Sequence, residues 1–255
     1  QDDPTPIAVV PFEWTGKGAL PEDIPAIIAA DLQRVGQFDP IERESMLGMP
    51  RNYEDVFFRD WRALGAEYLV VGTIAQETVD GPFTVEYELV DIYRQKRLLK
   101  RRVRGSLKQF RDMAHKISDE VYEKLTGLPG AFSTRILYVA SNNTGPGKFN
   151  YRLMMADADG ARERLIIERT EPILSPTWAP NARDIAYVSF ETTRPAIYRH
   201  ELATGRRDKL TGFPGLNSAP AWSPDGRTIA FSSDRAGNYD VWVYDVGTGK
   251  TRQIT

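Results

Sequence analysis

The 255-residue sequence contains no cysteine. Disulfides, thiolate zinc sites and cysteine nucleophiles are excluded together, and either a reducing or an oxidising compartment would suit such a chain. Its two histidines are too few for a His-rich metal centre. Neither sign of charge prevails: 33 Lys and Arg against 35 Asp and Glu leave a net charge of −2. That balance argues against bulk nucleic-acid binding while allowing a local basic patch. No apolar run approaches the ~18 residues of a membrane span, so no membrane insertion is expected. The opening Gln1-Asp2-Asp3-Pro4 has neither the basic start nor the apolar stretch of a signal peptide. A cytoplasmic protein or a processed one would begin this way. The remainder is ordinary for a globular chain, 41% hydrophobic and 27% charged, long enough for one large domain or two ordinary ones.

The first half predicts a mixed α/β domain. Ile7–Phe12 reads as a buried strand stopped by Pro11. Pro21-Glu22-Asp23 opens a helix, with Ile24, Ile27, Ile28, Leu32 and Val35 at helical spacing and Gly36 as its stop. A second short strand is expected over Phe38–Ile41. A second helix is expected over Val56–Leu64, packing through Val56, Phe57, Trp61 and Leu64. Ala66–Ile74 is strongly strand-like, and after Asp80-Gly81-Pro82 the alternation Phe83, Val85, Tyr87, Leu89 marks a half-buried strand that Leu98–Val103 pairs with. Ser106 and Gln109 form a capping box ahead of a long helix striped by Leu107, Phe110, Ala114, Ile117, Val121 and Leu125 and ended by Gly127. All three helices are expected on one face of a small mixed sheet.

Between Arg94 and Arg104 seven residues in eleven are basic. An anionic partner is one reading. No aromatic residue interleaves them after Tyr93, so a solvated hairpin edge that discourages strand-to-strand aggregation is the preferred one.

The second half repeats. SPTWAPNARDIAYVSF at 175–190 matches APAWSPDGRTIAFSSD at 219–234, with Trp178 and Trp222 lying 44 residues apart. The same offset pairs Pro180 with Pro224, Ile185 with Ile229, Gly205 with Gly249 and Thr211 with Thr255. Four short strands per period of this length indicate β-propeller blades. In the last copy they are expected at Ala219–Trp222, Thr228–Ser232, Val241–Val246 and Thr251–Thr255. A degenerate earlier copy, about Arg135–Thr170, supplies a second strand at Ile136–Ser141 and a third at Tyr151–Ala156 and lacks the strand in front. Residues 131–255 hold roughly 2.8 such units, against about four in the smallest propellers, which predicts a fragment of a longer protein.

The chemically suggestive residues have structural readings. Asp225-Gly226 lacks the spacing of a calcium loop and reads as a turn. Trp178 and Trp222 recur once per repeat, as packing residues do. His115 and His200 have no serine or cysteine partner in a recognisable motif, and neither a G-x-S-x-G elbow nor a phosphate-binding Walker loop occurs. A binding scaffold is expected, with no catalytic residue, metal or cofactor.

PIAVVPF, PEDIPAIIAADLQRVGQFDPIER, LGAEYLVVGTI, SDEVYEKLTGLPGAFSTRILYV and the S-P/W/P-G repeats together resemble the TolB family, over about Thr5 to Thr255. The stretch SDEVYEKLTGLPGAF between the domains is the most specific part. The resemblance implies a secreted and processed periplasmic protein of the Tol–Pal cell-envelope system that is not an enzyme. It implies an α+β N-terminal domain, a mixed sheet with three helices, at 1–127. An all-β propeller, six-bladed in the intact family, would begin at 131–255, with about three blades beyond Thr255. It implies Pal and TolA as partners, in the service of outer-membrane integrity during cell division. TolA would be met by a segment before the first strand, of which Gln1–Thr5 stand here. The alternative is the propeller of a prolyl-oligopeptidase-type peptidase.

Strand alternation puts the turns Ser223–Gly226 and Gly247–Lys250 at one end of the blades. Pro214–Ser218 and Asp234–Asn238 fall at the other, where the copies differ most. The resemblance implies that this second end receives Pal, through Leu216, Asn217, Ser218 and Ala219. Leu174, Ser175, Arg235 and Asn238 are further candidates, and Asn217 and Ser218 are expected to offer hydrogen bonds directly. Two structural expectations complete the reading. Gly127-Leu128-Pro129-Gly130 is a short linker, with Leu128 and Phe132 apolar enough to dock on both domains. The last blade has an open side, because Val241 and Val243 alternate with Trp242 and Tyr244.

Overall fold

The computed structural model describes residues 3–192 and 194–255. Gln1 and Asp2, in the stretch expected to meet TolA, and Thr193, in the Glu191–Pro195 loop, lie outside the described residues. The chain divides into two compact units, Gln1–Thr134 and Arg135–Thr255. Among the described residues no helix is long and apolar enough to cross a membrane.

The first unit is a six-stranded mixed sheet. Its strands are β1 (Thr5–Val9), β2 (Glu13–Trp14), β3 (Phe38–Pro40), β4 (Tyr68–Gln76), β5 (Phe83–Asp91) and β6 (Lys96–Gly105). They run in the order β3-β1-β4-β5-β6, with β2 beside β4. β1 is parallel to β3 and β4, while β4, β5 and β6 are antiparallel neighbours. Helix α1 (Ile24–Arg34) starts where the Asp23 carboxylate accepts the Ala26 N–H at 3.0 Å, satisfying a first-turn donor. Helix α2 (Phe58–Ala63) is short, and α3 (Phe110–Thr126) follows a 3-10 turn at Leu107–Gln109. The Ser106 N–H donates to Gln109 Oε1 at 3.1 Å, one half of the expected capping box.

Contrary to the expectation from the sequence, the helices do not share one face. α1 and α3 cover Ile7, Val9, Val70, Ile74, Val85, Tyr87 and Leu89. Trp61 of α2 packs on the opposite face with Ala8, Val10, Leu69, Val71, Val90 and Ile92. The cause is local. IAVV and YLVV are unbroken apolar runs, and successive strand residues point to opposite faces, so β1 and β4 need cover on both. Phe57, expected on the packed side of the second helix, precedes that helix and is 78% exposed.

The stretch after α3 belongs to the first unit. The Asp119 carboxylate accepts the Phe132 N–H at 2.7 Å and the Ser133 N–H at 3.2 Å. Phe132 is buried edge-on against Tyr122, 5.8 Å between ring centres. Gly130 passes so close to Asp119 that a Cβ would overlap its backbone and carboxylate. Leu128 is 56% exposed, against the expectation that it docks.

The second unit is three antiparallel sheets. The first has three strands, β7 (Arg135–Gly145), β8 (Lys148–Asp157) and β9 (Arg164–Arg169). The second has four: β10 (Ile173–Trp178), β11 (Asp184–Ser189), β12 (Ala196–Glu201) and β13 (Arg207–Lys209). The third repeats it as β14 (Asn217–Trp222), β15 (Thr228–Ser233), β16 (Asp240–Asp245) and β17 (Thr251–Gln253). These are the three expected blades. Ile185 and Tyr187 of β11 pack toward the first blade, against Leu153 and Ile167. Ala186 and Val188, the residues between, pack toward Ile229 and Phe231 of the third. Trp178 joins the first of these cores and Trp222 the second, so both are packing residues. In the third blade Trp242 and Tyr244 face the second blade, and Val241 is left 43% exposed.

Candidate functional site

Pairing registers fix which loops share an end of the third blade. Asn217 stands opposite Ser233, and Ser233 opposite Asp240. The connection 213–216 and the turn 234–239 therefore lie together. Trp222, Ile229, Tyr244 and Thr251 align at the other end, beside the turns 223–227 and 246–250.

The turns at that other end are closed on themselves. Asp225 Oδ1 lies 2.6 Å from Ser223 Oγ and accepts the Arg227 N–H at 3.0 Å. Asp245 Oδ1 accepts the Thr248 N–H at 2.7 Å. These hydrogen bonds hold both carboxyls below their ordinary range. Asp225-Gly226 is thus a structural turn.

The end carrying 213–216 is built differently. Asn217 is fully buried. Its Nδ2 donates to Phe213 O at 3.1 Å and Gly215 O at 3.3 Å, and its Oδ1 accepts from Ser233 Oγ at 3.1 Å. Asp234 Oδ1 accepts the Leu216 N–H at 2.7 Å. Gly215 has φ +81° and sits where a Cβ would collide with Asp234, so this close approach requires glycine. The expectation that Asn217 offers its amide to a partner is therefore corrected. Both ends of the amide are engaged inside the blade, and Asn217 positions Leu216, which is 40% exposed, without touching an incoming chain.

Of the other candidates, Ser218 is half-buried, and Ala219, Leu174, Ser175 and Asn238 are exposed. Ser175 and Ala219 share φ +51°, each at an irregularity in the inner strand where pairing shifts. This repeated bulge turns Leu174–Ser175 and Ser218–Ala219 alike on neighbouring blades. Arg235 is half-buried between rings: its guanidinium carbon is 4.2 Å from the Phe213 ring centre and 3.3 Å from that of Trp242. Asp234, Ser233 and Phe213 were not singled out from the sequence. The available signal was Asn217 itself, which occupies a buried position held by Ile173 one repeat earlier and so demands polar partners.

Several of the remaining suggestive residues have partners within the chain. Four of the seven basic residues at 94–104 are paired. Arg97 and Lys100 reach buried Glu88 at 3.3 and 3.0 Å, Arg102 pairs with Glu86, and Arg94 lies 3.8 Å from Asp91. His115 Nδ1 lies 2.7 Å from Asp31 Oδ2, and Ser118 Oγ donates to that same oxygen at 2.8 Å. The serine therefore meets the carboxylate and not the imidazole, so this trio is not arranged as an activated nucleophile. His200 is buried in β12; burial, then Arg207 and Arg164, push its pKa down.

Fold and site together define an α/β domain followed by β-propeller blades with one elaborated loop end. The TolB amino-terminal domain model matches residues 1–98, and the TolB beta propeller domain model matches 122–255. The chain belongs to the TolB family. It is 46% identical over 218 residues to the Tol-Pal system protein TolB of Pseudomonas fluorescens, covering 86% of this chain and 50% of that one. It is 49% identical over 218 residues to the protein of the same name from Alcanivorax borkumensis, covering 85% and 49%. The crystal structure of TolB from Acinetobacter baumannii superposes with a TM-score of 0.86 at 38% identity, covering all of this chain and 61% of that one. The chain thus spans about half the length of the curated relatives it matches. Those relatives are named as components of the Tol–Pal system and not as enzymes.

Proposed function

We propose that the chain acts as a non-enzymatic, periplasmic protein-binding scaffold of the Tol–Pal system. It binds the lipoprotein Pal at the loop end of its blades and TolA through the segment before β1, and so serves outer-membrane integrity during cell division. The names of its relatives support the system. The observation that carries the docking end is the clamp on 213–216. Asn217, Ser233 and Asp234 hold one connection rigid and present Leu216, while the turns at the opposite end satisfy their own polar groups. A pre-ordered loop binds without a large ordering cost.

Titration of purified Pal tests the reading. Covering the exposed part of Leu216 is worth about 1 kcal/mol, so Leu216→Ala is expected to weaken Pal roughly fivefold. A chain altered at Arg227 and Lys250, at the opposite end, is expected to bind as before. The reverse pattern would move the docking end to the other side of the blades. Propellers read a partner with loops from several blades at once, so this chain is expected to bind Pal more weakly than the longer relative from Alcanivorax borkumensis.

A further inference from the structure

Two neighbouring seams between blades can be compared position by position. At the first, Glu191 accepts from Arg169 Nε at 2.9 Å and from Arg207 Nη2 at 2.9 Å. Arg207 also donates to Tyr187 at 2.6 Å. Forty-four residues on, the same positions hold Arg235, Phe213, Thr251 and Phe231, with Trp242 in place of Tyr198. Arg235 replaces the carboxylate, and both of the cations that would have faced it are gone.

Among the described residues Arg235 is consequently a cation without a counter-ion: no carboxylate pairs with it, and its side chain donates to Thr251 Oγ1 at 3.0 Å. The adjacent Asp234 turns one carboxylate oxygen to the Leu216 N–H. Phe213 and Trp242 hold the guanidinium by its faces. A guanidinium has five N–H donors around its edge, and one hydrogen bond leaves most of them unused. Burial lowers its pKa, as expected for a charge with no compensation.

We infer that Arg235 is a receptor for a carboxylate on an incoming protein segment, at the seam between the second and third blades and beside the connection that presents Leu216. An aromatic-clamped guanidinium offers a fixed edge to the two oxygens of a carboxylate, the geometry in which such pairs are strongest. The inference rests on the reading of this end as the docking end, and it specifies the partner's chemistry: an acidic side chain within reach of an apolar one that covers Leu216.

The test has two arms. In the first, the Nε–Hε signal of Arg235 is followed by NMR in the 15N-labelled protein, assigned by its loss in Arg235→Lys. The probes are acetyl-Gly-Glu-Gly-amide, its Gln counterpart, and acetyl-Gly-Gly with a free C-terminus. The Glu peptide is expected to shift the signal saturably, at least fivefold tighter than the Gln peptide. An equal response to Glu and Gln, or none, overturns the proposal. A response to the free C-terminus alone would assign the receptor to a chain end in place of a side chain, and would overturn the acidic-side-chain form. In the second arm, Pal binding is measured for Arg235→Gln, Arg235→Lys and Arg227→Gln. About a tenfold loss with a flattened salt dependence is expected for Arg235→Gln, a smaller loss for Arg235→Lys and none for Arg227→Gln. If Leu216→Ala weakens Pal while Arg235→Gln does not, the carboxylate receptor falls and the docking end stands. If Pal does not bind at all while the Glu peptide still shifts Arg235, the receptor stands and the Pal reading falls.

Discussion

The first seam of the propeller unit is ionic and the second aromatic, although the two lie on the same backbone repeat. At the first, burial opposes the charge on Glu191. Hydrogen bonds from Arg169, Arg207 and Tyr198 outweigh it and bring the carboxyl down to about 2. Tyr198 is pushed up to about 12, by burial and by that same carboxylate. Arg207 lies over the Tyr187 and Tyr198 rings, at 5.7 and 4.7 Å. At the second seam one arginine between two rings fills the same space. The fold specifies volume at these positions, and two chemistries fill it, of which only the first also closes its hydrogen bonds. They fail differently. A buried ionic network loses its balance when one member is removed, whereas a stacked cation loses a contact of about 1 kcal/mol.

The comparison would break if the two central residues proved equivalent. Glu191→Ala leaves Arg169 and Arg207 facing one another, and a cost of about 3 kcal/mol is expected by urea unfolding. Arg235→Ala is expected to cost about 1 kcal/mol. Equal losses would show that the charges at the first seam are screened and contribute little.

Acid should separate the seams as well. The folded pKa of Glu191 is depressed from the ordinary 4.5 to about 2. Its contribution is therefore present above pH 4.5 and is lost as the pH falls toward 2. A depression of this size corresponds to about 3 kcal/mol. The stability gap between the protein and Glu191→Gln is expected to shrink across that window, while the gap to Arg235→Gln stays level. A gap to Glu191→Gln that does not depend on pH would contradict the ionic account.

A smaller effect sharpens the contrast at the loop end. Asn217→Ile gives the third blade the residue of the second. An apolar side chain replaces the amide, and Phe213 O, Gly215 O and the buried Ser233 hydroxyl lose their partner, so a loss of about 2 kcal/mol in global stability is expected. Hydrogen exchange at the Leu216 amide is expected to quicken by about tenfold, the local measure of a loosened connection. Unchanged exchange would mean that Asp234 alone holds the loop. Least of all, Arg227→Gln at the opposite end is expected to leave both unfolding midpoint and Pal binding where they were.

Much of the fold is legible in the residues. The 44-residue offset, the Trp in each inner strand and the Asp-Gly turn anticipate the blades. The apolar spacing in 24–32 and 110–125 anticipates α1 and α3, whereas Leu107 and Val35, expected on the same stripes, lie just outside the helices and are exposed. The reading failed where neighbours in sequence are not neighbours in space. Nothing local says which face of the sheet α2 covers; that followed from β1 and β4 being apolar on both sides. The connection 213–216 and the turn 234–239 share one end of the third blade, as expected, but Asn217 faces inward, because a polar side chain in a loop-like stretch looks available until its burial is known. Asp234 and Ser233 gave no warning, since aspartate and serine are ordinary in turns.

The sequence by itself determined the elements and their repetition, because alternation, helical spacing and turn residues act over a few positions of chain. It also determined the absence of cysteine chemistry and of the familiar catalytic motifs. Only the tertiary structure decided that Glu191 is satisfied and Arg235 is not, that Asn217 faces inward, and that four cations of the basic stretch are already paired. Each of those outcomes depends on desolvation and on partners brought together by folding, such as Arg207 for Glu191 and Ser233 for Asn217, each 16 residues away. Whether a charge is compensated or an amide is occupied belongs to the packed neighbourhood and not to the residue.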